Sequence, residues 1–310
     1  GLNYTTLNLV HGEITRMRYG GNYKSHGPQY VRGIQEGNGI PEDGDLWLSY
    51  SVNKEDMWVS RIQVPVQLEA TAHAKDDFSQ AEKLADLTDW NLYSPLWAPV
   101  SLEGKWLKMS DRDPFDYCRI ERKIPASKEL KVAFDIKADQ NDKGLLQIEF
   151  LDENSIACAR IDLNPDGTML SKGGARYGKL LNYEAGKSYH VEVILSVSKR
   201  MSEVFIDGKK AGQRMFFAPV AAIERIAFRT GERRTFPTID TPADWDGTLA
   251  DAGEQEPLVA YSIANFQTSS TDVSASAAVL NYNNYKHYVD YFNGMEDENI
   301  AQAIPNCEAS

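Results

Sequence analysis

The stretch from Lys187 to Gly231 constrains the fold more than any other part of the sequence. Apolar residues occupy every second position from Tyr189 to Val197, which is the period of a strand with one buried face. Asp207-Gly208 follows the next apolar run and favours a hairpin, because glycine adopts positive φ at little steric cost. A third apolar run ends at Phe228. These runs predict an antiparallel meander of about three strands, the minimum for an independently stable sheet.

Further strands are predicted on both sides of this meander. Leu130 to Ile136 and Leu146 to Phe150 alternate apolar and polar residues, and Ile156 to Leu163 ends at an Asn-Pro-Asp-Gly turn. Leu258 to Phe266 is interpreted as the last strand. Turn signals at short intervals, without a convincing helix between residues 100 and 231, predict an all-β sandwich.

Composition excludes two classes of partner. The formal net charge of −12 argues against nucleic acid, because phosphate binding needs a basic surface. No apolar run approaches the roughly 18 residues needed to span a bilayer, so no membrane span is predicted. Local arginine clusters are compatible with an acidic polysaccharide as a binding partner. The 3 cysteines fit neither a disulfide framework nor a zinc site, and Cys118 and Cys158 are interpreted as small strand residues.

The strings YHVEVIL, VFIDGKKAG and IERIAFRTG, in this order, resemble the closing half of a laminin-G or concanavalin-like jelly roll. This resemblance implies a fold that is often associated with carbohydrate, although fold alone does not give function. Concanavalin-like hydrolases carry paired carboxylates on one strand. In this sequence the nearest pair, Glu149 and Asp152, is predicted to lie on opposite faces of a strand, so we interpret the sandwich as a non-catalytic module.

A second resemblance concerns the first seventy residues. Ser51, Asn53 and Trp58 follow the spacing of the Asp-box turn, in which polar side chains bind turn amides, with Glu55 and Met57 as departures. The strings GPQYVRGIQEGNG and LWLSYSVNKEDMWVSRIQVPV resemble the last blade of bacterial sialidase-like (BNR-type) propeller proteins, where a jelly roll follows the blade. The predicted domains are therefore a blade-like segment (1–70), a jelly-roll sandwich (71–268), and a linker with a helical tail (269–310).

The sialidase-like resemblance implies catalytic candidates in the blade-like segment. Sialidase propellers hold a carboxylate with arginines and use a Tyr–Glu pair as nucleophile. The matching candidates are His11, Tyr30, Arg32 and Glu36. The alternative is that the charged residues are solvated strand ends and that Tyr30 packs in the blade core.

Aromatic residues near the start of the sandwich are candidate sugar contacts, because pyranose C–H faces pack on aromatic planes. Trp90, Tyr93 and Trp97 lie in a proline-containing stretch, and Trp245 lies in the acidic insertion 232–257. These four are the predicted carbohydrate-binding residues. The alternative is that they seal the seam next to the linker, or anchor the insertion, since tryptophan is more often buried.

Three carboxylates at Asp111, Asp113 and Asp116 share one predicted turn and make a candidate Ca²⁺ site. The jelly-roll resemblance favours this cofactor. Against it, Arg112 and Arg119 can neutralise the same carboxylates, and an Asp-Pro turn needs no metal.

The tail, with Tyr285, Tyr288 and Phe292 at helical spacing, resembles the entrance to an α/α-toroid glycosidase-like domain, so domains of a longer chain are expected to follow. The alternative is an amphipathic tail that docks on the sandwich. The resemblances together imply an accessory module, glycan-binding or supporting, of an exported bacterial polysaccharide-degrading protein, located in the periplasm or at the cell surface. Its partner is then a polysaccharide or oligosaccharide. Two alternatives stay open: a propeller-family glycoside hydrolase or lyase acting on an acidic or rhamnose-containing glycan, and a purely structural spacer.

Overall fold

The computed structural model describes residues 27–34, 44–54, 56–62, 70–94, 97–113, 117–231 and 258–270. Strands form nearly all of the regular structure in these residues, which confirms the predicted all-β class. The helical segments within them are short 3₁₀ turns, Phe78–Gln80 and Leu84–Asp86. No helix in this part of the chain is long and apolar enough to cross a membrane. The predicted helical tail lies outside the described residues.

The strands, numbered in chain order, are β1 (Pro28–Ile34), β2 (Leu46–Val52), β3 (Asp56–Ile62), β4 (Lys75–Asp76), β5 (Trp90–Tyr93), β6 (Val100–Glu103), β7 (Trp106–Asp111), β8 (Arg119–Ser127), β9 (Glu129–Ala138), β10 (Leu146–Leu151), β11 (Ala157–Leu163), β12 (Thr168–Gly173), β13 (Arg176–Asn182), β14 (Ser188–Ser196), β15 (Met201–Ile206), β16 (Lys209–Met215), β17 (Ile223–Thr230) and β18 (Val259–Ser270). They divide between two compact units of the chain.

The first unit contains a three-stranded antiparallel sheet of order β1-β2-β3. Asn53 and Lys54, after β2, both adopt a φ of 57°, a region that asparagine tolerates better than most residues. The Asn53 Oδ1 atom accepts a hydrogen bond of 2.8 Å from the amide of Gly27. This bond ties the turn after β2 to the residue that precedes β1.

The second unit is a sandwich of two antiparallel sheets. One sheet has seven strands in the order β13-β12-β11-β10-β17-β8-β5. The other has eight, β16-β15-β14-β9-β18-β7-β6 with β4 paired to β18. The predicted meander is present as β14, β15 and β16. The predicted domain boundaries at residues 70 and 268 stay predictions.

The third run of the meander differs from the prediction. The segment ending at Phe228 was expected to continue the meander, but Lys209–Met215 is its third strand. The strand that contains Phe228, β17, crosses to the other sheet and pairs with β10 and β8. The reason is burial on both faces: nearly every residue of β17 is buried, which an edge position next to β16 would not allow.

The core lies between the sheets and consists of the inward residues of the predicted alternations. Leu130, Val132, Phe134 and Ile136 on β9 are all buried, which confirms the inward face predicted for this strand. Aromatic rings join the sheets at the centre, with Phe134 and Phe228 in an edge-to-face contact of 5.1 Å between ring centroids. Cys118 and Cys158 are free and buried, as interpreted from the sequence.

Glycine brings the two sheets together at one edge of the sandwich. An added Cβ at Gly212 on β16 would lie 2.7 Å from Leu180 Cδ2 on β13. A Cβ at Gly178 would overlap the guanidinium of Arg214. The absence of these side chains therefore lets β16 lie against β12 and β13, and lets Arg214 reach across the edge.

Alanine substitutions at Gly144 and Gly178 should lower the free energy of unfolding by different amounts. Gly144 has a φ of +73°, and its added Cβ would lie 2.5 Å from Val259 Cγ1 and 2.9 Å from Tyr261 Oη. We expect Gly144→Ala to lower the free energy of unfolding by about 2 kcal/mol, because left-handed backbone alone costs a non-glycine residue about 1–2 kcal/mol. Gly178→Ala should cost less than about 1 kcal/mol, since a flexible guanidinium can rotate away. Urea unfolding of both variants measures the difference, and equal losses would contradict this assignment.

Candidate functional site

The outer face of the seven-stranded sheet carries charged side chains that are buried, although charged residues on the outer face of a sandwich are usually solvated. On β10, Leu146, Ile148 and Phe150 point into the core, so Gln147 and Glu149 point outward. The strand register aligns the outward residues in two rows across the sheet. One row is Tyr177, Lys172, Arg160, Glu149, Ala227, Glu121 and Asn91, and the other is Lys179, Leu170, Asp162, Gln147, Arg229, Arg119 and Tyr93.

Arg160 on β11 is the centre of a buried network on this face. Its Nη2 atom donates a hydrogen bond of 2.6 Å to Tyr177 Oη. Its Nε lies 3.2 Å from Asp162 Oδ1, and its Nη1 lies 3.5 Å from Glu149 Oε1. The guanidinium thus lies within ion-pair distance of two buried carboxylates and hydrogen-bonds Glu149 and the Tyr177 phenol, while its Nε and Asp162 Oδ1 make no hydrogen bond. The network fixes the hydroxyl end of Tyr177.

Burial sets the charge state of this network. Burial raises the pKa of Asp162 to about 6, although the Arg160 guanidinium counteracts part of that rise. Burial disfavours the charged form of Arg160, but Asp162 and Glu149 outweigh it and raise its pKa. Arg160 therefore stays a cation across the physiological range.

Tyr177 is 47% exposed, while its hydroxyl is held by a buried guanidinium. Lys172, its register partner on β12, places Nζ 6.0 Å from the Tyr177 ring centroid and 4.5 Å from that of Phe217. We call Tyr177, Lys172, Arg160 and Phe217 the Tyr177 surface. It combines an oriented aromatic ring with an adjacent cation.

A second network lies toward the opposite edge of the same sheet. Glu121 on β8 accepts hydrogen bonds from Arg119 Nη2 at 2.5 Å and Asn91 Nδ2 at 3.1 Å, and Arg225 Nη1 lies 3.5 Å away. Burial would raise the pKa of Glu121, but the Arg119 and Arg225 cations outweigh it and bring that pKa to about 2. Glu121 is therefore a buried anion held by two arginines.

The structure separates the four predicted carbohydrate-binding residues. Trp90 packs in the core between Phe78 and Phe266, with centroids 5.5 and 5.1 Å away, and its Nε1 donates to Asp76 at 2.9 Å. Its ring is therefore covered, in agreement with the seam alternative for this residue. Tyr93 stacks on Tyr117, and the Arg229 guanidinium lies 4.2 Å from the centroid of the Tyr117 ring.

Trp97 is 37% exposed and stays a candidate sugar contact, whereas Trp245 lies outside the described residues. Tyr93 is on β5 and Tyr177 is on β13, at opposite edges of the seven-stranded sheet. Six strand spacings of about 4.8 Å place the two strands about 29 Å apart across the face. The predicted aromatic group and the Tyr177 surface are thus separate positions.

The predicted Ca²⁺ ligands are only partly described. Asp111 and Asp113 are buried, and Asp116 lies outside the described residues. Asp111 Oδ1 accepts the Asp113 amide at 2.9 Å, and its Oδ2 accepts the Thr230 hydroxyl at 2.6 Å. No group of three or more His, Cys, Asp or Glu with metal-binding geometry occurs in the described part of the chain. The Ca²⁺ site stays a prediction.

The predicted catalytic residues are also divided. His11 and Glu36 lie outside the described residues. Tyr30 lies in an irregularity of β1, is 62% exposed, and has the Lys54 ammonium 5.8 Å from its ring centroid. The Arg32 guanidinium donates to the carbonyl of Val31 at 3.0 Å. The catalytic assignment of these four residues stays a prediction.

The sequence interpretation missed Tyr177, Arg160 and Asp162. The available signal was the alternation of Arg160 and Asp162 with apolar residues, next to the glycine-rich segment that contains Tyr177. An oriented aromatic ring beside charged hydrogen-bonding groups, on the outer face of a β-sandwich, suits a sugar, whose apolar C–H face and polar hydroxyls need both kinds of contact. Fold and surface together define a β-sandwich of carbohydrate-binding type.

The chain belongs to the sialidase-like carbohydrate-binding module (CBM) domain family, whose model matches residues 90–245. It is accordingly a glycan-binding accessory module. A solved structure titled "Sialidase" is 70% identical over 96% of this chain, with a TM-score of 0.83. This chain spans 27% of the length of that protein.

Two further solved structures are similar at low identity. "Crh5 transglycosylase in complex with NAG" is 14% identical, with a TM-score of 0.48 over 67% of this chain and 88% of its own. "Crystal structure of Emp47p carbohydrate recognition domain (CRD), monoclinic crystal form 1" is 10% identical, with a TM-score of 0.41 over 63% of this chain and 93% of its own. No curated protein sequence matched the chain.

Proposed function

We propose that the Tyr177 surface binds an oligosaccharide segment and thereby holds a longer glycan-degrading protein on its substrate. The observation that carries this proposal is that Tyr177 is 47% exposed although its hydroxyl accepts a hydrogen bond of 2.6 Å from buried Arg160. Because the ring is already oriented, a sugar that stacks on it loses little additional side-chain entropy on the protein side. Family membership in a carbohydrate-binding module supports the ligand class.

Replacement of Tyr177 by alanine tests this surface. We expect Tyr177→Ala to weaken oligosaccharide binding by about tenfold, since a lost ring contact of about 1.4 kcal/mol corresponds to that factor. Isothermal titration against a panel of neutral and acidic oligosaccharides measures the change.

Ile194→Ala is the matched control, because Ile194 is 40% exposed but lies on the other sheet. Its affinity should equal that of the unchanged protein. Trp97→Ala separates the surface from the predicted aromatic group. Loss of binding in Trp97→Ala with none in Tyr177→Ala would place the site at Trp97 and contradict the proposal.

The remainder of the proposal concerns the longer protein. The first unit is a propeller blade, residues 71–268 are the binding module, and 269–310 lead to a further domain. An independent three-stranded sheet supports the blade, as do the exposed apolar side chains of Met57 and Val59 on β3, which suit packing against a neighbouring blade. The 70% identity to a sialidase supports export to the periplasm or cell surface. Secretion assays test the proposed location. Expression of a longer stretch of the protein tests the proposed blade and the proposed further domain.

A further inference from the structure

Trp106 lies on the outer face of the eight-stranded sheet, whereas the Tyr177 surface belongs to the seven-stranded sheet. Leu107, the next residue of β7, is fully buried in the core, so Trp106 points away from the core. Trp106 is partly exposed, and the Nζ atoms of Lys105 and Lys137 lie 5.6 and 5.3 Å from its ring. This ring is therefore an aromatic group on an outer face that the proposed function does not use.

The strand register places polar side chains in the same row as Trp106. Ile263 of β18 pairs with the residue that follows Trp106, so Ala264 lies beside Trp106 itself. Ala264 pairs with Asp135 of β9, and Asp135 pairs with His190 of β14. Two strand spacings of about 4.8 Å place the backbones of Trp106 and Asp135 about 10 Å apart. An oligosaccharide spans this distance, and the position between them carries only a methyl group.

Asp135 organises the polar end of this row. Its Oδ1 atom lies 2.7 Å from His190 Nδ1, and its Oδ2 accepts a hydrogen bond of 2.6 Å from Asn265 Nδ2. Asn265 has a φ of 52° in an irregularity of β18, which turns its amide toward Asp135. The other nitrogen of His190, Nε2, lies 3.5 Å from Glu192 Oε1. The cluster thus holds carboxylate, amide and imidazole groups in fixed positions beside the aromatic ring.

The charges of this face are paired with one another. The ion pairs are Lys108–Glu103, Lys137–Asp139 and Lys131–Glu192, with N–O distances of 3.2, 3.9 and 2.9 Å. Paired charges of opposite sign create a weaker field than charges of one sign, so neither an anion nor a cation is strongly attracted. Hydroxyl groups both donate and accept, which suits a surface with carboxylate acceptors and with ammonium and amide donors. These features favour an uncharged ligand with many hydroxyls.

We infer that Trp106, Asp135, His190 and Asn265 form a second glycan-binding site, which takes a neutral oligosaccharide. We call these four residues the Trp106 site. The C–H face of one sugar packs on the indole ring, and hydroxyls of a neighbouring sugar bond the Asp135 carboxylate and the Asn265 amide. This site does not depend on the proposed function, because it lies on the other sheet from the Tyr177 surface.

Titration of neutral oligosaccharides into the full chain and its variants tests the Trp106 site. The probes are cellohexaose, maltohexaose, galactohexaose and arabinohexaose, with an oligogalacturonide as the acidic comparison. We expect at least one neutral probe to bind the Tyr177→Ala variant, in which the proposed surface is removed. On that background, Trp106→Ala should weaken this binding about tenfold through loss of the stacking ring. Asp135→Asn keeps the side-chain volume and should also weaken it about tenfold, because a charged hydrogen-bond acceptor is lost.

Ile194→Ala is the matched control, because Ile194 is exposed on the same face but lies outside the row. Circular dichroism of each variant separates loss of the site from loss of the fold. Unchanged binding of neutral probes in Trp106→Ala and Asp135→Asn overturns the inference, as does failure of every neutral probe to bind Tyr177→Ala. Tighter binding of the acidic probe than of all neutral ones overturns the ligand class. If Trp106→Ala abolishes binding and Tyr177→Ala changes nothing, the proposed function fails and this inference stands.

Discussion

Replacing Phe228 by alanine is expected to lower the free energy of unfolding of the sandwich by about 3–5 kcal/mol, the range for a fully buried phenylalanine. Phe228 is 0% exposed and lies on the interior strand β17, with Ile148 and Ile120 as register partners. Its ring meets Phe134 of the opposite sheet at 5.1 Å. The substitution removes a contact that joins the two sheets, and rigid strands on both sides cannot close the resulting cavity.

Urea unfolding followed by near-ultraviolet circular dichroism measures this loss. Phe228→Leu keeps most of the volume and should cost less than half as much, which separates cavity formation from loss of the aromatic contact. Ile194→Ala, on the exposed face of β14, should stay within about 0.5 kcal/mol of the unchanged protein. A loss below about 1 kcal/mol for Phe228→Ala would mean that this aromatic cluster does not hold the sheets together.

Local alternation was sufficient to predict the inward faces of the sandwich. The period of two in Leu130 to Ile136 and in Tyr189 to Leu195 identifies buried residues directly, since each strand has one face on the core. The sheet to which β17 belongs was not predictable in this way. That assignment depends on long-range pairing with β10 and β8, which no short pattern records.

The candidate site was less predictable for the same reason. Glu149, Arg160 and Asp162 have the sequence pattern of a solvated face, and they form a network only because β10 and β11 pair in one register. Tyr177 becomes a ring beside a cation because β13 returns against β12. Trp90, in contrast, is a candidate sugar contact by residue type alone, and the structure buries it in the core. Residue type alone did not distinguish an exposed ring from a buried one.

Stability toward acid should depend strongly on Glu121. Its pKa is about 2 in the folded protein, against an ordinary value of 4.5, because Arg119 and Arg225 outweigh the effect of burial. A depressed carboxyl pKa stabilises the fold above the unfolded value, and this stabilisation is lost as pH falls from about 4.5 to about 2. The shift corresponds to about 3 kcal/mol. We expect Glu121→Gln to reduce stability at pH 7 by up to that amount and to flatten the acid limb of the stability curve.

Glu224 should give the opposite result and serves as the comparison for Glu121. Burial, with the nearby Glu153 and Asp152 carboxylates, raises the pKa of Glu224 to about 7. A raised carboxyl pKa costs nothing below about 4.5, and the cost grows as pH rises to about 7 and stays constant above it. Glu224→Gln should therefore stabilise the protein above pH 7 and leave it unchanged at pH 4. Urea unfolding of both variants between pH 3 and pH 8 measures these curves. Parallel curves for Glu121→Gln and Glu224→Gln would show that the two carboxyl groups share one environment, which contradicts the arginine pairing of Glu121.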